Sequence, residues 1–241
     1  MARNELIILL YHGVSETPSF GIENWSNKHL PFAEFRRQMQ LLRDNCNILS
    51  MDQLVEFHKN RRELPKSAVI VTFDDGFKNN YSIAAPLLDD LKIPATFYVT
   101  AGMIGTTDMF WVDKLEDCIN RTNLKTIDLA FLGLSSSVSL KTCNERFRVL
   151  AAVKKICKEL PKKDKDDVVE LIESITQISP AVEAADNYRI MNWQEVEQLS
   201  LMDGFTVGGH NFTHEVFSGL APEEAREQVE KTVGLILNQT G

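Results

Sequence analysis

Cysteine is scarce in this chain and shows no pairing pattern. Its four cysteines, Cys46, Cys118, Cys143 and Cys157, form no C-x-x-C pair and no regular framework. That argues against a thiolate zinc site and fits free thiols in a reducing compartment. Long apolar runs are also missing. LIILLY, near the N-terminus, is far short of the roughly 20 residues a membrane-spanning helix needs. It has neither the long apolar region nor the small-residue cleavage site of a secretory signal. It reads instead as a buried first strand, and a cytoplasmic location follows as the expectation. Positive charge is in deficit: 26 Lys and Arg stand against 34 Asp and Glu, for a net charge of −8. A polyanion held by bulk electrostatics is therefore disfavoured, and no nucleic-acid partner is expected. VTAGMIG follows a strand-like segment but lacks the G-x-G-x-x-G spacing of a dinucleotide site. No internal repeat of fixed period is visible.

The 241 residues are 44% hydrophobic and 25% charged, as in a globular protein of one domain. Glu5–Tyr11 is the first strand candidate, followed by a loop to about Pro31. FAEFRRQMQLLRDN repeats its apolar residues near the helical period. NILS reads as a short strand, and MDQLVEFHKNRR as a helix with Asp52 as its N-cap. SAVIVTF is a near-continuous apolar run, as in a parallel strand covered on both faces. NNYSIAAPLLDDLK then reads as helix and ATFYVT as strand. Strands alternating with helices predict an α/β fold with a parallel sheet. From about residue 106 to 188 the pattern turns mainly helical, which predicts an insertion; within it KELPKKDKDD reads as solvated surface. The α/β pattern returns with NWQEVEQLSLMD, GFTVGGH and a final helix, APEEAREQVEKTVGLILNQTG.

The chemistry lies at two strand ends. VIVTFDDGF drives a buried strand into Asp74 and Asp75, and two adjacent anions at the rim of a core are costly unless a cation offsets them. His210 follows the strand FTVGG, and His214 lies four residues on. On one helical turn these two imidazoles share a face within reach of one ion. Strand ends of a parallel sheet form one rim, so residues distant in sequence can meet there. Two imidazoles and a carboxylate make a three-ligand set with room for water or substrate, the composition of a catalytic zinc site. Neighbouring side chains diverge, so the two aspartates divide into one ligand and one base. A bound cation acidifies water, and the second carboxylate can take its proton. His12 also ends a strand, whereas His29 and His58 read as solvated.

TFDDGF, PATFYV and MNWQEVEQLSLMDGFTVGGHNFTH, in that order, resemble the polysaccharide deacetylases of the NodB-homology type, carbohydrate esterase family 4. LLYHGV and the F-x₃-QM-x-L helix look like the N-terminal flank of many members. The resemblance covers about residues 5–105 and 188–241. It implies a distorted (β/α) barrel of NodB type forming a single domain over 1–241, with the segment at about 106–188 as a helical insertion. It implies metal-dependent hydrolysis of an N- or O-linked acetyl group on a carbohydrate, with Asp74 as general base and Asp75, His210 and His214 as ligands of a divalent metal, Zn²⁺ first. Asn211 stands where members carry Ser or Thr. No histidine and no R-x-P stretch follow His214, where members carry later motifs that include the general acid. The expectation is either a fragment or a chain without the usual acid, in which case His12 is the internal candidate. Hydrolysis of a non-sugar amide or cyclic imide is an alternative activity, and a degenerate glycan- or partner-binding protein is a third reading.

Overall fold

The computed structural model describes residues 5–179 and 186–241. The chain forms two compact units: Met1–Thr17, Lys28–Thr106 and Arg189–Gly241 make the first, and Pro18–Asn27 with Thr107–Tyr188 make the second. In chain order the first unit begins with β1 (Leu6–Tyr11), β2 (Gly13–Ser15), β3 (His29–Pro31), α1 (Phe32–Asn45), β4 (Asn47–Ile48), α2 (Met51–Lys59) and β5 (Ala68–Phe73). A π-helical turn over Asn80–Ala84 leads into α3 (Ala85–Leu91), and β6 (Ala95–Val99) follows. The second unit holds α4 (Trp111–Arg121), the β7–β8 hairpin (Thr126–Ile127 and Val138–Ser139), α5 (Cys143–Glu159) and α6 (Lys162–Thr176). The chain returns to the first unit with α7 (Trp193–Leu201), β9 (Phe205–Gly209) and α8 (Pro222–Thr240).

The main sheet is parallel, in the order β1-β5-β6-β9, with β4 paired to the start of β5. All six residues of β5 are buried, which accounts for its unbroken apolar sequence. Parallel pairing lines up β1, β5, β6 and β9 with their carboxyl ends on one rim. Just below that rim Tyr11, Phe73 and Phe97 stack across three strands, with centroids 5.5 and 5.1 Å apart, and Phe205 meets Phe97 edge-on at 5.3 Å. Phe35 of α1 packs edge-on against Tyr11 and Phe73. The Tyr11 hydroxyl donates to Gln38 Oε1 at 2.8 Å, and burial pushes its pKa up to about 12. Side chains alternate along a strand, so this aromatic layer floors one face of the strand ends, and the next residues, His12 and Asp74, turn toward the opposite face.

Local differences from the sequence reading have simple causes. Helix α2 is capped by Ser50, not Asp52: Ser50 Oγ accepts from Gln53 N–H and Gln53 Oε1 accepts from Ser50 N–H, a reciprocal capping box. The segment after Asp75 opens as a π turn before becoming α-helical. KKDKDD is the first part of α6 rather than solvated surface throughout: Lys165 is buried, with its ammonium 5.5 Å from the Trp111 ring centre, a cation over an aromatic face. His58 is exposed in the last turn of α2, but His29 is fully buried. His29 pairs through β3 with Gly13, and its ring meets Phe77 edge-on at 4.7 Å. Residues 180–185, near the end of the expected insertion, lie outside the described residues.

The second unit has its own core. Leu115 and Ile119 of α4 are buried with Val149, Leu150 and Val153 of α5 and Ile172 of α6, and Ile22 from the segment 18–27 joins them. Arg146 on α5 donates to the carbonyls of Ile119, Asn120 and Thr122, satisfying the orphan acceptors at the end of α4. Buried Glu116 accepts from the Tyr188 hydroxyl at 3.0 Å and from Asn24 N–H at 2.9 Å, tying both ends of this unit to α4.

Two outcomes follow from these packing arrangements. Phe73→Ala removes the centre of the aromatic floor and is expected to cost about 3–5 kcal/mol, read as a lower urea midpoint at unchanged slope. Burial lowers the pKa of His29 from 6.5 to about 3. The unfolded chain therefore binds a proton that the folded chain refuses between these values. Stability contributed by a neutral His29 is complete above pH 6.5 and falls as pH drops toward 3, by up to about 1.4 kcal/mol per pH unit. His29→Phe should flatten that part of a stability–pH profile measured by denaturant titration.

Candidate functional site

Asp74 and Asp75 leave the end of β5 at a sharp turn. Asp74 N–H donates to the Tyr11 carbonyl at 2.9 Å, continuing the pairing of β5 with β1 by one residue. Asp75 then takes a left-handed conformation (φ +76°), followed by Gly76 (φ +88°). A side chain at Gly76 would be strained by that φ and would press on Ile104 and Val99. The turn swings the two carboxylates apart. The backbone locks it from both sides: the Asp75 carbonyl accepts from Thr100 N–H, and Gly76, Phe77 and Lys78 pair with residues 189–191 across an antiparallel bridge. Lys78 also reaches Glu195 at 2.8 Å, in the first turn of α7.

His210 leaves β9 with its N–H on the Val99 carbonyl. The segment from His210 to His214 is a loop, not the helical turn expected from the i, i+4 spacing. Asn211 (φ +71°) and His214 (φ +61°) are both left-handed, which a helix cannot accommodate. Side chains hold this loop. The Asn211 amide donates to the Glu215 carbonyl at 2.7 Å and accepts from His214 N–H at 2.5 Å. Gln228 Oε1, from α8, accepts from Phe212 N–H, Thr213 N–H and the Thr213 hydroxyl at 3.1–3.2 Å. The departure at Asn211 thus supplies a donor and an acceptor for the loop itself.

The strand ends bring Asp75, His210 and His214 together. His214 Nε2 lies 3.1 Å and His210 Nε2 3.4 Å from Asp75 Oδ1, and one ligand atom from each of the three residues lies within 4.8 Å of the others. Asp75 Oδ1 is buried and makes no hydrogen bond of acceptable geometry, although two imidazole nitrogens face it. Lone-pair atoms converging on one point, with the carboxylate oxygen otherwise orphaned, fit a divalent cation with N/O ligands. Asp74 Oδ2 stands aside, 3.8 Å from His210 Nδ1.

The two carboxyls are pushed apart electrostatically. Burial raises Asp74 above the usual aspartate range, against the pull of His210, and the neighbouring Asp75 adds to the rise. Burial acts to raise Asp75 as well, but the close approach and charge of His214, with the charges of His12 and His210, outweigh it and hold its carboxyl below that range. His12, half-buried between β1 and β2, is close enough for its charge to act on both aspartates. The sequence did not single out Gln228 or Asn79, and it read the buried His29 as solvated. Gln228 lies on a helix face with no local signature, and its role exists only once α8 folds back on the loop.

A family model described as polysaccharide deacetylase matches residues 61–148, which include both aspartates but neither histidine of the pair. Over 72 residues the chain is 33% identical to the poly-β-1,6-N-acetyl-D-glucosamine N-deacetylase of Escherichia coli K12, covering 30% of this chain and 11% of that protein. Over 123 residues it is 27% identical to the enzyme of the same name from Staphylococcus epidermidis, covering 47% and 42%. These matches span less than half the length of either relative. Among solved structures, IcaB from Ammonifex degensii superposes with a TM-score of 0.56 at 18% identity, covering 98% of this chain and 70% of that one. The Streptococcus pyogenes deacetylase PplD gives 0.54 at 15% identity, covering 98% and 69%. At such identities the structural likeness bears on the fold, which is α/β with a parallel sheet in both. In sequence over part of its length, and in fold, the chain is similar to polysaccharide deacetylases.

Proposed function

We propose that this protein is a metal-dependent deacetylase of N-acetylated polysaccharide, with poly-β-1,6-N-acetylglucosamine the first substrate to try because two curated relatives carry it in their names. The observation that carries this reading is the convergence of His210 Nε2 and His214 Nε2 on the orphaned Asp75 Oδ1, with Asp74 set beside them. We read the open sheet as an arc of a distorted (β/α) barrel and the whole chain as one deacetylase domain with the second unit as its insertion. Four thiols without a disulfide favour a reducing compartment, and no helix among the described residues is long and apolar enough to cross a membrane.

In this reading Asp75, His210 and His214 hold the cation, zinc being the first choice for two imidazoles and one carboxylate. A cation bound there supplies Lewis-acid polarisation of the acetyl carbonyl and acidifies a water. Asp75 is the anionic member of the ligand set. Asp74, set beside the ligands and 3.8 Å from His210 Nδ1, takes the proton from the attacking water. His12 gives a proton to the sugar nitrogen as the C–N bond breaks, so that acetate and a free amine leave. The left-handed turn at Asp75 and the Asn211–Gln228 scaffold keep ligands and base in fixed directions before substrate arrives.

Acetate release from the polymer, measured with and without added Zn²⁺, tests this directly; release only from non-sugar amides would redirect the assignment to the alternative hydrolase, and glycan binding without turnover to a binding protein. Asp75→Ala should lose metal and activity together. Asp74→Asn should keep its metal by elemental analysis while turnover falls about 10²–10⁴-fold; equal metal loss in both variants would overturn the division of roles. Gln228→Leu should weaken metal binding about 10–100-fold in a chelator competition, although Gln228 touches no ligand atom.

A further inference from the structure

His29 and Asn79 lie outside the proposed chemistry, yet both are buried next to it. His29 is fully buried, Asn79 is 4% exposed, and Phe77, also fully buried, packs edge-on against the His29 ring. Asn79 Oδ1 accepts from Val14 N–H at 3.4 Å, and Asn79 Nδ2 lies 3.0 Å from His29 Nδ1. A backbone N–H can only donate, so this contact fixes which end of the amide is oxygen. The amide nitrogen must then donate to His29, Nδ1 must accept, and the ring proton must sit on Nε2. Burial holds the ring neutral down to a pH of about 3, and a protonated Nδ1 would set donor against donor.

The backbone between these two side chains belongs to Gly13. A Cβ built there would lie 2.0 Å from His29 Nδ1 and 2.6 Å from Asn79 Oδ1. Only glycine leaves room for so close an approach. Gly13 pairs with His29, and Val14 with Leu30, in the β2–β3 ladder. The residue immediately before Gly13 is His12. Asn79, in turn, lies five residues beyond Asp74, and that segment is locked by the bridge to residues 189–191. His12 therefore hangs between two anchors: Tyr11 in the aromatic floor and the Gly13–Val14 backbone held by Asn79 and His29.

We propose that His29 and Asn79 are positioning residues that set His12 as the proton donor to the leaving group. This rests on the deacetylase reading above. A donor must lie within hydrogen-bond reach of the nitrogen it protonates, and small misplacement is costly. The clamp ties the donor backbone to the same turn that carries Asp74 and Asp75, so acid, base and ligands keep one geometry.

The test compares a substrate that needs leaving-group protonation with one that does not. Full-length wild type, His12→Ala, Asn79→Leu and His29→Phe are loaded with Zn²⁺ and assayed on an N-acetylglucosamine oligomer and on 4-nitrophenyl acetate, whose phenolate leaves unprotonated. The clamp predicts that kcat on the amide falls in Asn79→Leu and His29→Phe by up to about 10²-fold, approaching His12→Ala, with KM, zinc affinity and ester hydrolysis within about two-fold of wild type. Equal loss on both substrates, or loss of zinc, would show general damage to the site and overturn the proposal. Undiminished amide turnover in both clamp variants beside a defective His12→Ala would overturn the clamp and leave the deacetylase reading standing. Wild type inactive on the oligomer, with or without zinc, would overturn the deacetylase reading and the clamp with it. The paired variants separate positioning from folding, since His29→Phe keeps an aromatic ring in the buried slot.

Discussion

Two aspartates buried side by side set the terms for the first unit. Their mutual repulsion and their desolvation both oppose ionisation, and the surrounding structure answers each carboxyl differently. Asp75 is met by two imidazoles from the far end of the chain, which hold it ionised. Asp74 is left with burial as its main influence and rises. The same turn that separates the side chains separates their chemistry, because the left-handed backbone at Asp75 and Gly76 rotates one carboxyl away from the other. The contrasting ionisation of adjacent identical residues thus comes from backbone geometry and from what each carboxyl faces.

The rest of that unit serves to keep this rim rigid. The aromatic layer of Tyr11, Phe73 and Phe97 gives the strand ends a floor with little freedom to shift. Above it, hydrogen bonds replace helix as the means of order. The histidine loop has no regular structure, yet Asn211 and Gln228 satisfy five donors or acceptors around it. Loops that carry function are held in this way when a rigid scaffold stands close enough to reach them. His12 is treated in the same manner, by a buried amide and a buried neutral imidazole instead of by secondary structure.

Local pattern went a long way with this chain. The helical period of residues 32–45 coincides with α1, the mainly helical pattern from about residue 106 holds α4, α5 and α6, and the apolar run before Asp74 is the fully buried β5. These segments are legible because burial on one face, or on both, imposes a period on the residues themselves. The carboxylate and histidine motifs were legible for a different reason: few residue types can offer a cation an oxygen or nitrogen lone pair.

What escaped the sequence depends on contacts between segments far apart in it. Four residues between histidines suggested a helical turn, but the pull of Gln228 and the left-handed residues Asn211 and His214 make a loop. Polar surroundings suggested that His29 was solvated, but its pairing with Gly13 and its bond with Asn79 bury it. The amino-acid order alone determined which segments become strands and helices and which residues have side chains able to bind a cation, because those are matters of short-range periodicity and residue type. Only the tertiary structure decided which nitrogen faces which oxygen, how differently the two neighbouring carboxyls are surrounded, and which histidine is buried, because distance, burial and charge at a point are properties of the assembled rim and not of any stretch of chain.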